Sequence, residues 1–327
     1  MSAHRYPESS VFYRKLAHDF PKIVRGEGCW LIDERGKRYL DAVGGAYVAN
    51  LGHGNAEIAE AMAEQGRQFG YLSGTMFTHG PVEELAAEME STLPGDLSKL
   101  YFLCSGSEAV EAALKLARQY WIERGKPSKN RIIALVPGYH GSTLLALSAS
   151  AREAYKAMFR PWLVDVNRIP ASYPYRCECG GKGANCPVCS GNVLEEAITR
   201  LGADQVAAFI AEPVGGSSTG GSTPRPEYFR RVREICDRHN VLFIADEVLV
   251  GVGRTGTWWA TEPYGVAPDI MTFGKGISGG YAALSGIAAP LRIVDAIANG
   301  SGNFMHAQTF SHHPVACAAG VATMRYL

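Results

Sequence analysis

Four short runs of nearly unbroken apolar residues constrain this chain more than any other feature: "RIIALV" (131–136), "AAFIAEP" (207–213), "VLFIADEVLV" (241–250) and "IMTFGK" (270–275). A strand with one wet face alternates apolar and polar residues, whereas a strand apolar at every position is covered on both faces. Helical periods separate these runs. In "SEAVEAALKLARQYWIER" (107–124), Val110, Ala113, Leu114, Ala117 and Trp121 share one face. "VLEEAITRL" and "PEYFRRVREICDRHN" also read as helices, a helix-like stretch follows Ser142, and "LYFLCS" (100–105) adds a strand. Strands alternating with helices predict an α/β fold, a mostly parallel sheet sandwiched by helices.

At 327 residues the chain exceeds what one core usually carries, so a large domain plus a smaller one is expected. "GCWLIDERGKRYLDAVGG" reads as a hairpin turning at Glu34-Arg35-Gly36. Residues 1–55 are therefore assigned to the N-terminal part of a small domain and 56–305 to the large domain. Residues 306–327, with "HHPVACAAGVATMRYL", read as a helix that has barely begun and leads towards a C-terminal small domain beyond the sequence given.

The formal net charge is zero, which gives no electrostatic case for a nucleic-acid or anionic-membrane partner. "MSAHRYPESSVFYRKL" lacks the apolar core of a signal peptide, and no run of 18 apolar residues occurs. With eight cysteines in such a chain, reduced thiols and a cytoplasmic location are expected.

Two motif matches lack their context. "GVGRTG" (251–256) fits the dinucleotide pattern, but "TWWATEPYG" follows where a helix should open, so a glycine-rich turn is the better reading. "GISGG" (276–280) fits the esterase elbow around Ser278, which also needs a helix directly after the serine; "GGYAALSGIAA" is glycine-rich and then strand-like. A serine hydrolase using Ser278 is kept as a remote alternative.

In a doubly wound sheet, ligands sit at the carboxyl ends of the strands. "CSGSEA" places Ser105, Gly106 and Ser107 at a helix start. Glu108 stands at capping-box spacing, and free N–H groups with two hydroxyls make an anion site suited to phosphate. "GYHGS" offers the ring of Tyr139 to a planar ligand. Glu212 ends one apolar strand and Asp246-Glu247 another; alternation sends the last two to opposite faces, and a buried carboxylate needs a cation or several donors. Arginines such as Arg254 are one available source of that compensation. Lys275, between two glycines at a strand end, should have a desolvated amine with a lowered pKa, nucleophilic towards aldehydes. Together these groups ask for a planar, phosphorylated ligand with a ring cation for Asp246 and an aldehyde for Lys275. Pyridoxal 5'-phosphate has all four properties.

The motifs "LDAVGGAYVANLGHGN", "SGSEAVEAALKLAR", "GYHGST", "AEPV", "IADEVLVGVGRTG", "PDIMTFGKGISGGY" and "TFSHHPVACAAG" occur in this order. In them the chain resembles a class III pyridoxal-phosphate aminotransferase, the omega-aminotransferase group of fold type I. The resemblance implies that Lys275 holds the cofactor as an internal aldimine and that Asp246 keeps its ring nitrogen protonated. Val248 and Tyr139 would cover the two ring faces, and Gly106 and Ser107 would bind the phosphate. Glu212 would support the hydroxyl side, with His140 behind. Thr309 would reach the phosphate in the neighbouring subunit, which makes the expected assembly a homodimer. The implied reaction is ping-pong transfer of an amino group from an amine or an omega- or beta-amino acid to a keto acid such as pyruvate. An aminomutase, racemase or decarboxylase on the same fold is the alternative. Ser142 stands where acetylornithine-type and 4-aminobutyrate-type members carry an arginine after Tyr/Phe-His-Gly, which points to the amine–pyruvate branch. Family members usually continue for about another hundred residues, so a fragment, or completion by a second polypeptide, is expected.

Cys177, Cys179, Cys186 and Cys189 fall within 13 residues as C-x-C, six residues, C-x-x-C. Four thiolates at this spacing can hold a structural zinc; a disulfide-stapled or simply cysteine-rich loop fits the same residues.

Overall fold

The computed structural model of the chain describes residues 6–177 and 186–327. A small antiparallel sheet comes first: β1 (Ile23–Glu27), β2 (Trp30–Asp33) and β3 (Arg38–Leu40), in that order. The expected hairpin is β2–β3. The Asp33 carboxylate accepts the N–H groups of Arg35 and Lys37, and Gly36 takes φ +79°, a left-handed value that glycine adopts without strain.

The main sheet has seven strands: β4 (Leu97–Leu103), β5 (Arg131–Val136), β6 (Asn167–Pro170), β7 (Val206–Ala211), β8 (Leu242–Asp246), β9 (Ile270–Phe273) and β10 (Ser285–Pro290). Their spatial order is β4-β10-β9-β8-β7-β5-β6. Only β10 runs antiparallel to its neighbours, so the mostly parallel expectation holds.

Burial on both faces explains the unbroken apolar runs. On one face Ile244 and Ile210 pack against Val110, Ala113 and Ala117 of the helix Gly106–Glu123. On the other, Phe243, Ala245 and Phe209 meet Leu194 and Ile198 of Asn192–Leu201 and Phe229, Val232 and Ile235 of Tyr228–His239. Around β9 the second cover changes to Leu85 and Met89 of Gly80–Glu90 and Val321 and Met324 of Pro314–Tyr326. Among the described residues, no helix is long and apolar enough to cross a membrane.

One expectation is corrected. The run 241–250 is not all strand: β8 stops at Asp246, whose carboxylate accepts the N–H of Val248 at 3.1 Å and pulls the backbone into a turn. A helix does occupy the end of the sequence, where one was read. It spans thirteen residues, Pro314–Tyr326, and packs on the helices Ala56–Gln68 and Gly80–Glu90. Its small residues are buried around most of its circumference, so the sequence carries no amphipathic stripe to mark its length.

In the main sheet, β10 packs closely around Gly286. A Cβ there would lie 2.5 Å from the Tyr101 carbonyl oxygen and 2.6 Å from the Phe273 ring. Neither is the end of a flexible chain. Gly286→Ala is expected to destabilise the protein by about 1–3 kcal/mol, read as a lower denaturant midpoint at unchanged slope. An unchanged midpoint would show that β10 is less tightly held between β4 and β9 than this packing requires.

Candidate active site

Five strands, β4, β5, β7, β8 and β9, end on the same edge of the sheet, and the loops leaving them enclose a cavity of about 320 Å³. Gly106 and Ser107 line it after β4, Tyr139 and His140 after β5, Glu212 after β7, Asp246 and Val248 at the end of β8, and Lys275 after β9. Eight of the residues singled out from the sequence thus converge on one space. Ser105 does not line it. Its hydroxyl accepts the N–H of Glu108 while Glu108 accepts the N–H of Ser105, the capping box read from the sequence. Thr309 is exposed and stands outside the residues lining this chain's own cavity.

Asp246 is buried, and its compensation is specific. Oδ2 lies 2.7 Å from Nδ1 of the fully buried His140 side chain, and Oδ1 accepts the Thr272 hydroxyl at 3.1 Å as well as the Val248 N–H. Burial alone would lower the pKa of His140; the bond to Asp246 and the charges of Asp246 and Glu212 outweigh it, so the net direction is upward. His140 Nε2 is buried with no partner among the described residues. Thr272 was missed from the sequence. A lone hydroxyl in the apolar run "IMTF", paired in register with Asp246, was the available signal.

Glu212 accepts the N–H groups of Tyr139 at 3.1 Å and Gly216 at 3.0 Å, joining the loops after β5 and β7 at the cavity. Its burial raises its pKa, with these amides acting in the opposite direction. Glu247 points away from the cavity, as strand alternation required, to the N–H groups of Ala260 and Thr261, each at 2.9 Å. Neither Asp246 nor Glu247 is paired with an arginine among the described residues. Arg254 lies instead beside Gly44.

Lys275 is partly buried, and burial lowers its pKa against the raising charges of Asp246 and Glu212. It follows Gly274 with φ +48°, a left-handed backbone that a lysine adopts at a cost of about 1 kcal/mol. Gly106 cannot be larger without moving Val248, since a Cβ would sit 2.5 Å from Val248 Cγ1. Tyr47, Gly141, Ser217 and Leu249 also line the cavity and were not foreseen. Ser142 donates its backbone N–H to Ser107 Oγ at 3.0 Å.

These features fit pyridoxal 5'-phosphate: a ring-sized cavity, a carboxylate at one wall, a desolvated amine, and a helix start for phosphate. The two distrusted motifs resolve as read. Gly251–Gly256 forms turns with no helix after it. Ser278 is buried and donates to the Ala282 carbonyl at 2.7 Å, which leaves it without the base that a hydrolase nucleophile needs.

The Aminotransferase class-III family model matches residues 13–327. An uncharacterized aminotransferase of Schizosaccharomyces pombe is 39% identical over 322 residues, covering 97% of this chain and 70% of that protein. A β-alanine–pyruvate aminotransferase of Pseudomonas aeruginosa is 35% identical, covering 100% and 73%. The crystal structure of an amine transaminase from an uncultivated Pseudomonas species, in its PLP-bound form, superposes with a TM-score of 0.90 at 36% identity, covering 99% of this chain and 75% of that one. Across curated relatives such as these, the chain spans 63% to 73% of their length.

Glu247 supplies a test of the wall behind the site. Burial raises its pKa to about 7, with the two amides partly opposing. The folded state therefore holds a proton that the unfolded chain releases near the ordinary carboxyl value. Its contribution to stability is full below that value and is lost as pH rises from there through about 7, on the order of 3 kcal/mol. Glu247→Gln should lower stability at acid pH, where one amide loses its acceptor, and flatten the slope across this window. Denaturant midpoints measured against pH would read both effects, and an unaltered slope would contradict them.

Proposed function

The chain belongs to the class III aminotransferases, and on that premise we propose that it moves an amino group from an amine or an omega- or beta-amino acid to a keto acid such as pyruvate. Its cofactor is pyridoxal 5'-phosphate. The observation that carries this reading is the pairing of Lys275 and Asp246 in one cavity, an amine and a buried carboxylate delivered by neighbouring strand ends.

When bound, pyridoxal phosphate supplies an aldehyde for primary amines and a pyridinium that withdraws electrons from the carbon bearing the amine. The residues of this chain would do the rest. The Lys275 amine, its charged form disfavoured by burial, is available as a nucleophile to anchor the aldehyde and then as a base. Displaced by the amino donor, it would take the proton from the donor's amine-bearing carbon and return it to the former aldehyde carbon, on the other side of the shared nitrogen. Asp246 would supply the carboxylate for the ring nitrogen, and His140 and Thr272 fix its two oxygens. Tyr139 and Val248 would enclose the ring, and Gly106 and Ser107 would present the helix start to phosphate. Glu212 secures the loop of Tyr139.

The pyruvate preference is supported by Ser142 in place of a carboxylate-binding arginine, and by the 35% identity to a relative named for β-alanine and pyruvate. A homodimer is part of the same reading. Thr309 is exposed beside Phe310, itself 51% exposed, which would allow it to serve a neighbouring subunit's phosphate site.

The test is a panel of amines and omega-amino acids offered with pyruvate or 2-oxoglutarate, with carbonyl product followed. Product beyond about one equivalent per site is expected only when a keto acid is supplied; sustained turnover without one would move the reading to a mutase or racemase. Lys275→Ala and Asp246→Asn should each lose turnover by roughly a thousandfold or more. Borohydride should fix a mass adduct to Lys275 in the wild type, and Lys275→Ala should take up none. Retained turnover in Lys275→Ala would overturn the proposal.

A further inference from the structure

The transamination chemistry makes no use of the cysteines between β6 and the helix Asn192–Leu201. Sγ atoms of Cys177, Cys186 and Cys189 all lie within 4.8 Å of one another, and the Cys177 and Cys186 sulfurs are 3.5 Å apart. These are neither disulfide nor random separations. A disulfide holds its sulfurs about 2.05 Å apart. Tetrahedral zinc, with Zn–S bonds of about 2.3 Å, spaces its sulfurs about 3.8 Å apart.

The local fold explains how the three meet. Cys186 precedes the helical turn Pro187–Ser190, and Pro187 fits the first helical position because that residue's N–H has no intrahelical partner. Cys189 follows three residues later, one helical turn from Cys186 and hence on the same side, where it is buried. The Ser190 N–H donates to the Cys186 carbonyl and closes the turn. Gly191 ends it at φ +83°. Cys177 arrives from the other arm of the loop, after a turn in which the Arg176 N–H donates to the Tyr173 carbonyl. Cys179 lies outside the described residues, and the site as argued does not use it.

We propose that Cys177, Cys186 and Cys189 form a structural site for a thiophilic divalent metal, zinc in the first instance. Three thiolates are a donor set that such an ion prefers over any oxygen-binding cation. On binding, each thiol gives its proton to solvent and its sulfur lone pair to the metal. The ion would join the two arms of a loop that also reaches the active site. The Tyr173 hydroxyl donates to the Thr219 carbonyl at 3.0 Å, and the Gly215–Ser222 turn contains both Gly216, a donor to Glu212, and Ser217, which lines the cavity. The metal's place is thus mechanical: it holds the loop behind one wall of the cavity and takes no part in the chemistry.

The experiment uses the full chain, expressed with zinc in the medium and purified under reducing conditions without chelator. Elemental analysis should find about one zinc per chain. Cys186→Ser combined with Cys189→Ser should abolish it, whereas Cys29→Ser, at an exposed cysteine elsewhere, should leave it unchanged. Should the double variant fold poorly, cobalt exchanged into the unaltered chain gives an independent readout, the thiolate-to-cobalt charge-transfer absorbance. Zinc removal by a chelator should lower the thermal midpoint and open the 171–190 loop to protease. Zinc near zero in the replete protein, zinc retained by the double variant, or a Cys177–Cys186 disulfide in peptide maps of fresh protein would each overturn the proposal.

Discussion

The contact between His140 Nδ1 and Asp246 Oδ2, 2.7 Å long and shut off from water, is the constraint on which the site depends. A carboxylate at the end of a central apolar strand costs several kcal/mol unless its oxygens are occupied, on the order of the desolvation of one ion. His140, the Thr272 hydroxyl and the Val248 amide occupy them. Each of the three comes from a different segment: the loop after β5, the neighbouring strand β9, and the turn that ends β8. Satisfying one buried charge therefore fixes the relative positions of three strand ends. The same turn presents Val248 to the cavity against Gly106, so the β4 loop is drawn into the arrangement by steric contact.

The parallel sheet is what makes this convergence possible. Five parallel strands, β4, β5, β7, β8 and β9, deliver their carboxyl ends to one edge, and helices cover both faces so completely that charges at that edge look into low dielectric. Burial then has different consequences for two lysines. Lys129 is pinned by the carbonyls of Ala203, Val206 and Asn240, the shortest at 2.7 Å, and serves the fold. On Lys275, Asp246 and Glu212 act through charge alone, so its amine remains available to a ligand. Its left-handed backbone beside Gly274 sets it at the mouth of β9, past the point where the strand has ended.

Much of this was legible in the sequence because burial writes itself into composition. The apolar runs announced strands covered on both sides. Ser105 and Glu108 announced a capped helix, and polar residues at the ends of apolar runs announced Glu212, Asp246 and Lys275. Parts governed by non-local contact were silent. The turn after Asp246 depends on that carboxylate bonding its own backbone, which a run of valines and leucine conceals. The length of Pro314–Tyr326 depends on helices more than two hundred residues earlier. The pairing of Asp246 with His140 spans 106 residues, and no local pattern encodes it. Tyr47 and Ser217 reach the cavity from loops whose sequence has no period at all.

The central claim is that the strand-end environment, before any ligand arrives, makes Lys275 an unusual lysine whose charge is supported by Asp246. Competitive acylation of the cofactor-free protein, with labelling of Lys275 followed by peptide mass against pH, measures this directly. The account predicts a titration below the ordinary lysine value of 10.5, moved further down in Asp246→Asn because a supporting negative charge is removed. A Lys275 that titrates like a surface lysine, or one whose value rises when Asp246 is neutralised, would contradict it.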